Sequence, residues 1–152
     1  MSENRGAFLS FEGIDGSGKS TQLQRLAERL EAAGLPVVRA QEPGGTRVGL
    51  EIRKILLDRA SGDLRALPEL LLYFASRAQN VEEVIRPALE QGRIVLADRF
   101  TDASAAYQGY GRGLGAETVA ALHRVACKDL QPDITFFLDV DVETGLRRAR
   151  RH

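Results

Sequence analysis

The sequence has a single cysteine, Cys127, so it can form no internal disulfide, and its opening run MSENRGAFLS lacks the apolar stretch of a signal peptide. No segment approaches the roughly 18 to 20 apolar residues that span a bilayer. Net charge is missing as well, because 21 basic and 21 acidic side chains cancel. That balance excludes the broad basic field that recruits nucleic acid polymers, and also an acidic tail. Any anion must be caught locally. Lysine is scarce: Lys19, Lys54 and Lys128 are the only ones, and the other basic residues are arginines, whose forked donors suit phosphate. There is no fixed-period repeat, low-complexity tract or linker-like run. What is present, 152 residues at 43% hydrophobic content, suffices for one compact domain with a core. The expectation is one soluble domain, 1–152, in a reducing cytoplasmic setting away from membranes.

Periodicity predicts strands over 7–12, 37–40, 94–97 and 134–139. It predicts helices over 20–33 (Leu23, Leu26, Ala27 and Leu30 on one face), about 48–58 (Val48, Ile52, Ile55 and Leu56 inward), from Pro68 onward, 81–92 with a kink or break at Pro87, about 116–128, and 142–151 with Asp141 as its cap. The segment after Asp98 reads as a loop, interrupted by glycines over 109–115. His123 is expected on a helix surface and Cys127 in the core. Strand and helix alternate, so the predicted class is α/β, a parallel sheet covered by helices on both faces. With four strands and a chain stopping in a charged helix, either the sheet is small or the chain is a fragment.

Between the first strand and the first helix lies FEGIDGSGKSTQ, with the spacing Gly13-x-x-x-x-Gly18-Lys19-Ser20. Glycines at such a loop let backbone N–H groups of residues 13–21 (Gly13, Ile14, Asp15, Gly16, Ser17, Gly18, Lys19, Ser20 and Thr21) turn toward phosphate oxygens, with a helix N-terminus behind them. Lys19 would reach the β- and γ-phosphates of ATP, and Ser20 would offer its hydroxyl to Mg²⁺. Such loops serve kinases, motors and GTP switches alike. A second site is expected where the strand 94–97 ends in DRF, since parallel sheets bind ligands at the carboxyl ends of their strands. There Asp98 would hold Mg²⁺ through water and Arg99 would grip a phosphate; a plain surface ion pair is the bland alternative.

The runs FEGIDGSGKSTQ, EPGGT, YFASRAQ, DRFTDASAAYQGYGRG and PDITFFLDVDVETGLRR, in this order, resemble the bacterial thymidylate kinase family over about residues 7–151. The resemblance implies a P-loop nucleoside-monophosphate kinase fold, usually homodimeric, transferring the γ-phosphoryl group of MgATP to dTMP to give dTDP. It implies that Tyr73 stacks on thymine, that Arg77 donates to its O4, and that adjacent Phe74 is core. Arginine is donor-only, so cytosine, with an amino group there, would leave buried donors unpaired at about 1–3 kcal/mol each. By the same resemblance Ser104 faces the base edge, Tyr107 fills the space of a ribose 2′-OH, and Gln108 lies near the base. Arg99 holds the acceptor phosphate, and Asp15 points at the sugar or that phosphate, with Lys19, Arg99 and Asp15 forming the catalytic set.

The chain departs from the family pattern in three places. Tyr73 stands where phenylalanine is usual, Gln41 replaces the arginine of REPGGT, and Gly16 occupies a position that some members give to arginine. The transition-state cation is therefore expected from a basic lid, whose root RRARRH at 147–152 resembles; the lid, last strand and last helices are expected to be absent from this sequence. Arg147, Arg148, Arg150 and Arg151 fit that root or the solvated end of a helix equally well. The rival readings are another deoxynucleoside or nucleotide kinase, and a nucleotide-binding fragment with little turnover. A GTPase switch is disfavoured because no guanine-reading NKxD run occurs.

Overall fold

A computed structural model describes residues 5–58 and 62–150. Its frame is a parallel four-stranded sheet in the order β2, β3, β1, β4, with β1 at Phe8–Glu12, β2 at Val37–Gln41, β3 at Ile94–Asp98 and β4 at Ile134–Phe137. All five β1 residues are buried, as befits a central parallel strand covered on both faces. Alternation along the strands then sorts side chains between two cores. Phe8, Val95 and Ala97 pack with Val81, Ile85 and Phe100 on one side. Leu9, Phe11 and Leu96 pack on the other with Leu23 and Ala27 of α1, Lys19–Ala32. The same alternation sends Glu12 toward the first side and Asp98 toward the second.

Helix α2 spans Arg47–Leu57 and is capped by Thr46, whose Oγ1 accepts from the Gly49 amide at 2.9 Å. Its inward face differs from the expected one: Val48 and Ile55 are exposed, while Gly49 is buried and Ile52 and Leu56 are half-buried. The cause is close approach at Gly49, where a Cβ would lie 2.5 Å from the Gly44 carbonyl oxygen. That contact fixes the helix's rotation. Helix α3, Ala66–Asn80, continues through a π-helical turn, Val81–Ile85, into α4, Arg86–Glu90. The expected break at Pro87 is thus a widened turn just upstream of it, which relieves the clash of the proline ring with the preceding turn.

The predicted loop after Asp98 is largely helical, with α5 at Thr101–Ser104 and a π-helical stretch at Ala105–Gly111. Gly109 does not break it, because its bare Cα packs on α6 (Ala116–Cys127), where a Cβ would come within 3.3 Å of Val119. Strand β4 is shorter than predicted, ending at Phe137, and its exposed residues form one edge of the sheet. Helix α7, Val142–Ala149, is capped as expected by Asp141, which accepts from the Thr144 amide at 2.8 Å. Arg151 and His152 lie outside the described residues.

Cys127 is buried as predicted, but His123 is buried too, at 4% exposure, rather than on the surface. Packing of α6 against Phe100 and Thr101 covers it: the Phe100 ring meets the imidazole edge-on at 6.0 Å. Gln131 Nε2 and Thr101 Oγ1 each lie 2.8 Å from a ring nitrogen, an arrangement the neutral ring satisfies. Burial, with the Arg77 charge adding to it, holds His123 below its ordinary value. A depressed folded value means that His123 contributes stability above the unfolded value of 6.5, and that this is lost as pH falls through the folded value. Urea-unfolding midpoints at about pH 7.5 and about pH 5.5 should therefore drop more in the natural chain than in His123→Gln.

Candidate functional site

The carboxyl ends of β1 and β3 lie side by side, with Phe11 opposite Asp98. From β1 the chain enters the glycine loop, where Gly13, Gly16 and Gly18 have φ of 144°, 77° and 95°. Side-chain-bearing residues rarely adopt these values. At Gly16 the loop also touches α7 backbone to backbone, since a Cβ would lie 2.1 Å from the Gly145 carbonyl oxygen. An arginine at position 16 has no room. Lys19, nearly buried, folds back so that Nζ donates to the Ile14 carbonyl at 2.9 Å. Burial, then the neighbouring Arg99 charge, lowers its pKa.

Two cavities open on this edge. One, of about 510 Å³, is lined by the loop from Asp15 through Thr21, and by Arg148 from α7. Gly13 and Ile14 line neither cavity; their carbonyls instead accept from Arg99 and Lys19. The other cavity, of about 550 Å³, shares Asp15, Lys19 and Ser20 with the first and runs on past Asp98 and Arg99. At the junction Ser20 Oγ donates to Asp98 Oδ2 at 2.6 Å. A hydroxyl and a carboxylate in contact form an oxygen donor pair fitted to a hard cation.

Arg99 follows β3 with φ 74°, a left-handed conformation at a residue with a side chain. Such backbone costs roughly 1–2 kcal/mol and persists where its surroundings over-determine it. The turn sends the guanidinium back across the loop: Nη1 donates to the Gly13 carbonyl at 3.1 Å and Nη2 to Asp15 Oδ1 at 2.5 Å. The Tyr107 ring lies beneath it, 5.3 Å from the guanidinium carbon.

The far end of the larger cavity is built from α3 and from the helical segment after Asp98. Tyr73 and Arg77, one turn apart, both line it, and Phe74 is buried in the core beside them, as predicted. Arg77 is 2% exposed. Its Nε donates to Glu42 Oε2 at 2.5 Å, and its Nη2 donates to the Phe100 carbonyl at 3.1 Å and to Ser104 Oγ at 3.0 Å. Nη1, equally buried, has no partner among the described residues. A buried guanidinium nitrogen without an acceptor is a donor awaiting one. Ser104 thus sits behind Arg77, with Gln108 beside it held by Glu69 Oε1 at 2.8 Å.

The cavity therefore gathers the predicted set of Asp15, Lys19, Ser20, Tyr73, Arg77, Asp98, Arg99, Ser104, Tyr107 and Gln108. It also contains residues that sequence reasoning missed. Glu42 lies in the quoted EPGGT run, but nothing in the sequence marks it as the counter-ion of Arg77. Burial pushes its carboxyl up, and the Arg77 guanidinium opposes that. Arg53 of α2 lines the cavity and donates to the Pro43 carbonyl at 2.8 Å, near Gln41. Its position between Ile52 and Leu56 gives no periodic signal. Arg148, one of the arginines left between two readings, lines the smaller cavity against the glycine loop.

The thymidylate kinase family model matches residues 11–152. The chain belongs to the thymidylate kinase family. It is 55% identical over 146 residues to a thymidylate kinase of Pelobacter propionicus, covering 96% of this chain and 67% of that one. It is likewise 55% identical to one of Halothermothrix orenii, covering 96% and 70%. A crystal structure of thymidylate kinase from Ehrlichia chaffeensis superposes with a TM-score of 0.84 at 43% identity, covering 97% of this chain and 83% of that chain. The chain spans about two thirds of the length of the curated thymidylate kinases it matches.

Among the described residues no helix is long and apolar enough to cross a membrane. The Glu42–Arg77 pair is the most buried ion pair near the site, with exposures of 3% and 2%. Removing one member strands the other in a dry interior. Glu42→Ala should destabilise the fold by about 3–5 kcal/mol in urea titrations, well beyond the effect of an exposed pair.

Proposed function

We propose that this chain, acting as one nucleotide-kinase domain, transfers the γ-phosphoryl group of MgATP to dTMP to give dTDP. The observation that carries this reading is the pair of adjoining cavities that share Asp15, Lys19 and Ser20, one against the glycine loop, the other ending at the unpaired Arg77 Nη1. ATP phosphates lie along the loop amides, and dTMP fills the larger cavity with its phosphate toward Arg99. Thymine stacks on Tyr73 and its O4 accepts from Arg77, while Gln108 lies along the base edge. Tyr107, beneath Arg99, occupies the room a 2′-hydroxyl needs, so deoxyribose is preferred by exclusion.

Two phosphates brought into line repel each other, so the chemistry is positioning plus charge neutralisation. Lys19 leaves the Ile14 carbonyl for the β- and γ-phosphates, and Arg99 exchanges Asp15 for the acceptor phosphate. Asp15 is then free to accept from the sugar or to order that phosphate. Ser20 and Asp98 fit Mg²⁺, which when bound neutralises charge on the transferred group. Ser20 and Asp98 would be the small protein contribution to holding such an ion. Arg148 adds a cation at the donor phosphates. The cytoplasm, which supplies ATP, is the setting this reaction needs.

The test is a panel of nucleoside monophosphates with ATP, in which dTMP is the preferred acceptor; equal use of dCMP or dGMP would overturn the assignment of the base end. In binding titrations, Arg77→Ala should weaken dTMP about tenfold or more and erase thymine preference. The same change should leave ATP affinity within about twofold, while Lys19→Ala shows the converse pattern.

The homodimer is supported by α2, where exposed Val48 and Ile55 lie two turns apart on one stripe. Sedimentation should show a dimer, and Ile55→Asp should shift it to monomer; a monomeric natural chain would refute this surface.

A further inference from the structure

Glu12 ends β1, directly before the glycine loop, yet it is only 4% exposed and lines neither cavity. Strand alternation turns it away from the phosphates, toward Phe100 and Arg77. Its Oε1 accepts from the Phe100 amide at 2.7 Å. That amide belongs to the peptide immediately after Arg99, the residue in left-handed backbone. On the preceding peptide, the Arg99 amide donates to the Phe11 carbonyl at 3.1 Å, continuing the β1 ladder. On the following one, the Phe100 carbonyl accepts from Arg77 Nη2 at 3.1 Å. The turn at Arg99 is therefore pinned on three successive peptides, and one of the pins is a buried side chain whose hydrogen bond goes to this turn.

We propose that Glu12 is a positioning residue for Arg99, its carboxyl oxygen holding the Phe100 amide so that the left-handed turn aims the guanidinium across Gly13 and Asp15 into the phosphate end of the cleft. This rests on the reading that Arg99 holds the acceptor phosphate. Without the Glu12 oxygen the Phe100 amide is buried and unsatisfied, the backbone relaxes from the left-handed region, and the guanidinium leaves its line. Gln carries a carbonyl oxygen at the same reach and preserves the pin. Asp keeps the acid but stops one methylene short.

Calorimetric titration of this chain with dTMP and with thymidine, which lacks the phosphate, separates the possibilities. Glu12→Ala and Glu12→Asp should each weaken dTMP about tenfold, with thymidine within about twofold, while Glu12→Gln holds dTMP to within about threefold of the natural chain. In an Arg99→Ala background Glu12→Asp should add no further loss. If Glu12→Ala does not fold, the aspartate and glutamine variants carry the comparison. Undiminished dTMP binding in Glu12→Asp, or an equal loss of dTMP and thymidine, overturns the role of Glu12 while Arg99→Ala still weakens dTMP. If Arg99→Ala leaves dTMP binding intact, the acceptor-phosphate reading itself fails, and the role of Glu12 falls with it.

Discussion

The parallel pairing of β1 with β3 is the constraint on which the site depends. With Phe11 opposite Asp98, the two strands end at the same level. The glycine loop leaving one and the Asp98-Arg99-Phe100 turn leaving the other are thereby forced to share a few ångströms of sheet edge. Alternation does the rest. Asp98 faces the α1 side and meets Ser20, while Glu12 faces the opposite side and meets the Phe100 amide. A shift of one residue in this register would turn Asp98 to the face that Glu12 occupies and break both partnerships.

Charge is concentrated at that edge, and cations in a folded interior need something to rest on. Each finds a different support. Lys19 rests on a loop carbonyl, Arg99 on a carbonyl and Asp15, and Arg77 on Glu42 with two further oxygens. The supports are graded. Those of Lys19 and Arg99 are small and displaceable, whereas Arg77 is locked by a buried carboxylate and keeps one nitrogen in reserve. On the proposed reading, this difference in support makes recognition at the base rigid and the contacts at the phosphates yielding.

Much of this was legible in the sequence. The four strands, the glycine loop and the capping by Asp141 follow from alternation, glycine spacing and a polar residue before an apolar stripe. The cavity gathers the residues expected at the base, Tyr73, Arg77, Ser104 and Gln108, and Tyr107, expected at the sugar. What escaped depends on contacts between distant segments. Helix α2 is rotated by a glycine pressed on another loop's carbonyl, which no periodicity reports, so Val48 and Ile55 looked inward. His123 is covered by a segment more than twenty positions earlier that itself looked like a loop. Glu42 and Arg53 sit among ordinary neighbours, and only the folded chain shows what each touches. The left-handed backbone at Arg99 has no signature in its side chain at all.

Gly16 meets the Gly145 carbonyl backbone to backbone, and the Ile14 side chain lies against Gly145. Side chains at such a crossing act as cushions, absorbing small displacements by changing rotamer; here Gly16 has only backbone against it and Gly145 has the Ile14 side chain. Movement of α7 is consequently felt by the glycine loop, and rearrangement of the loop presses on the helix that carries Arg148. The two behave as a single mechanical part.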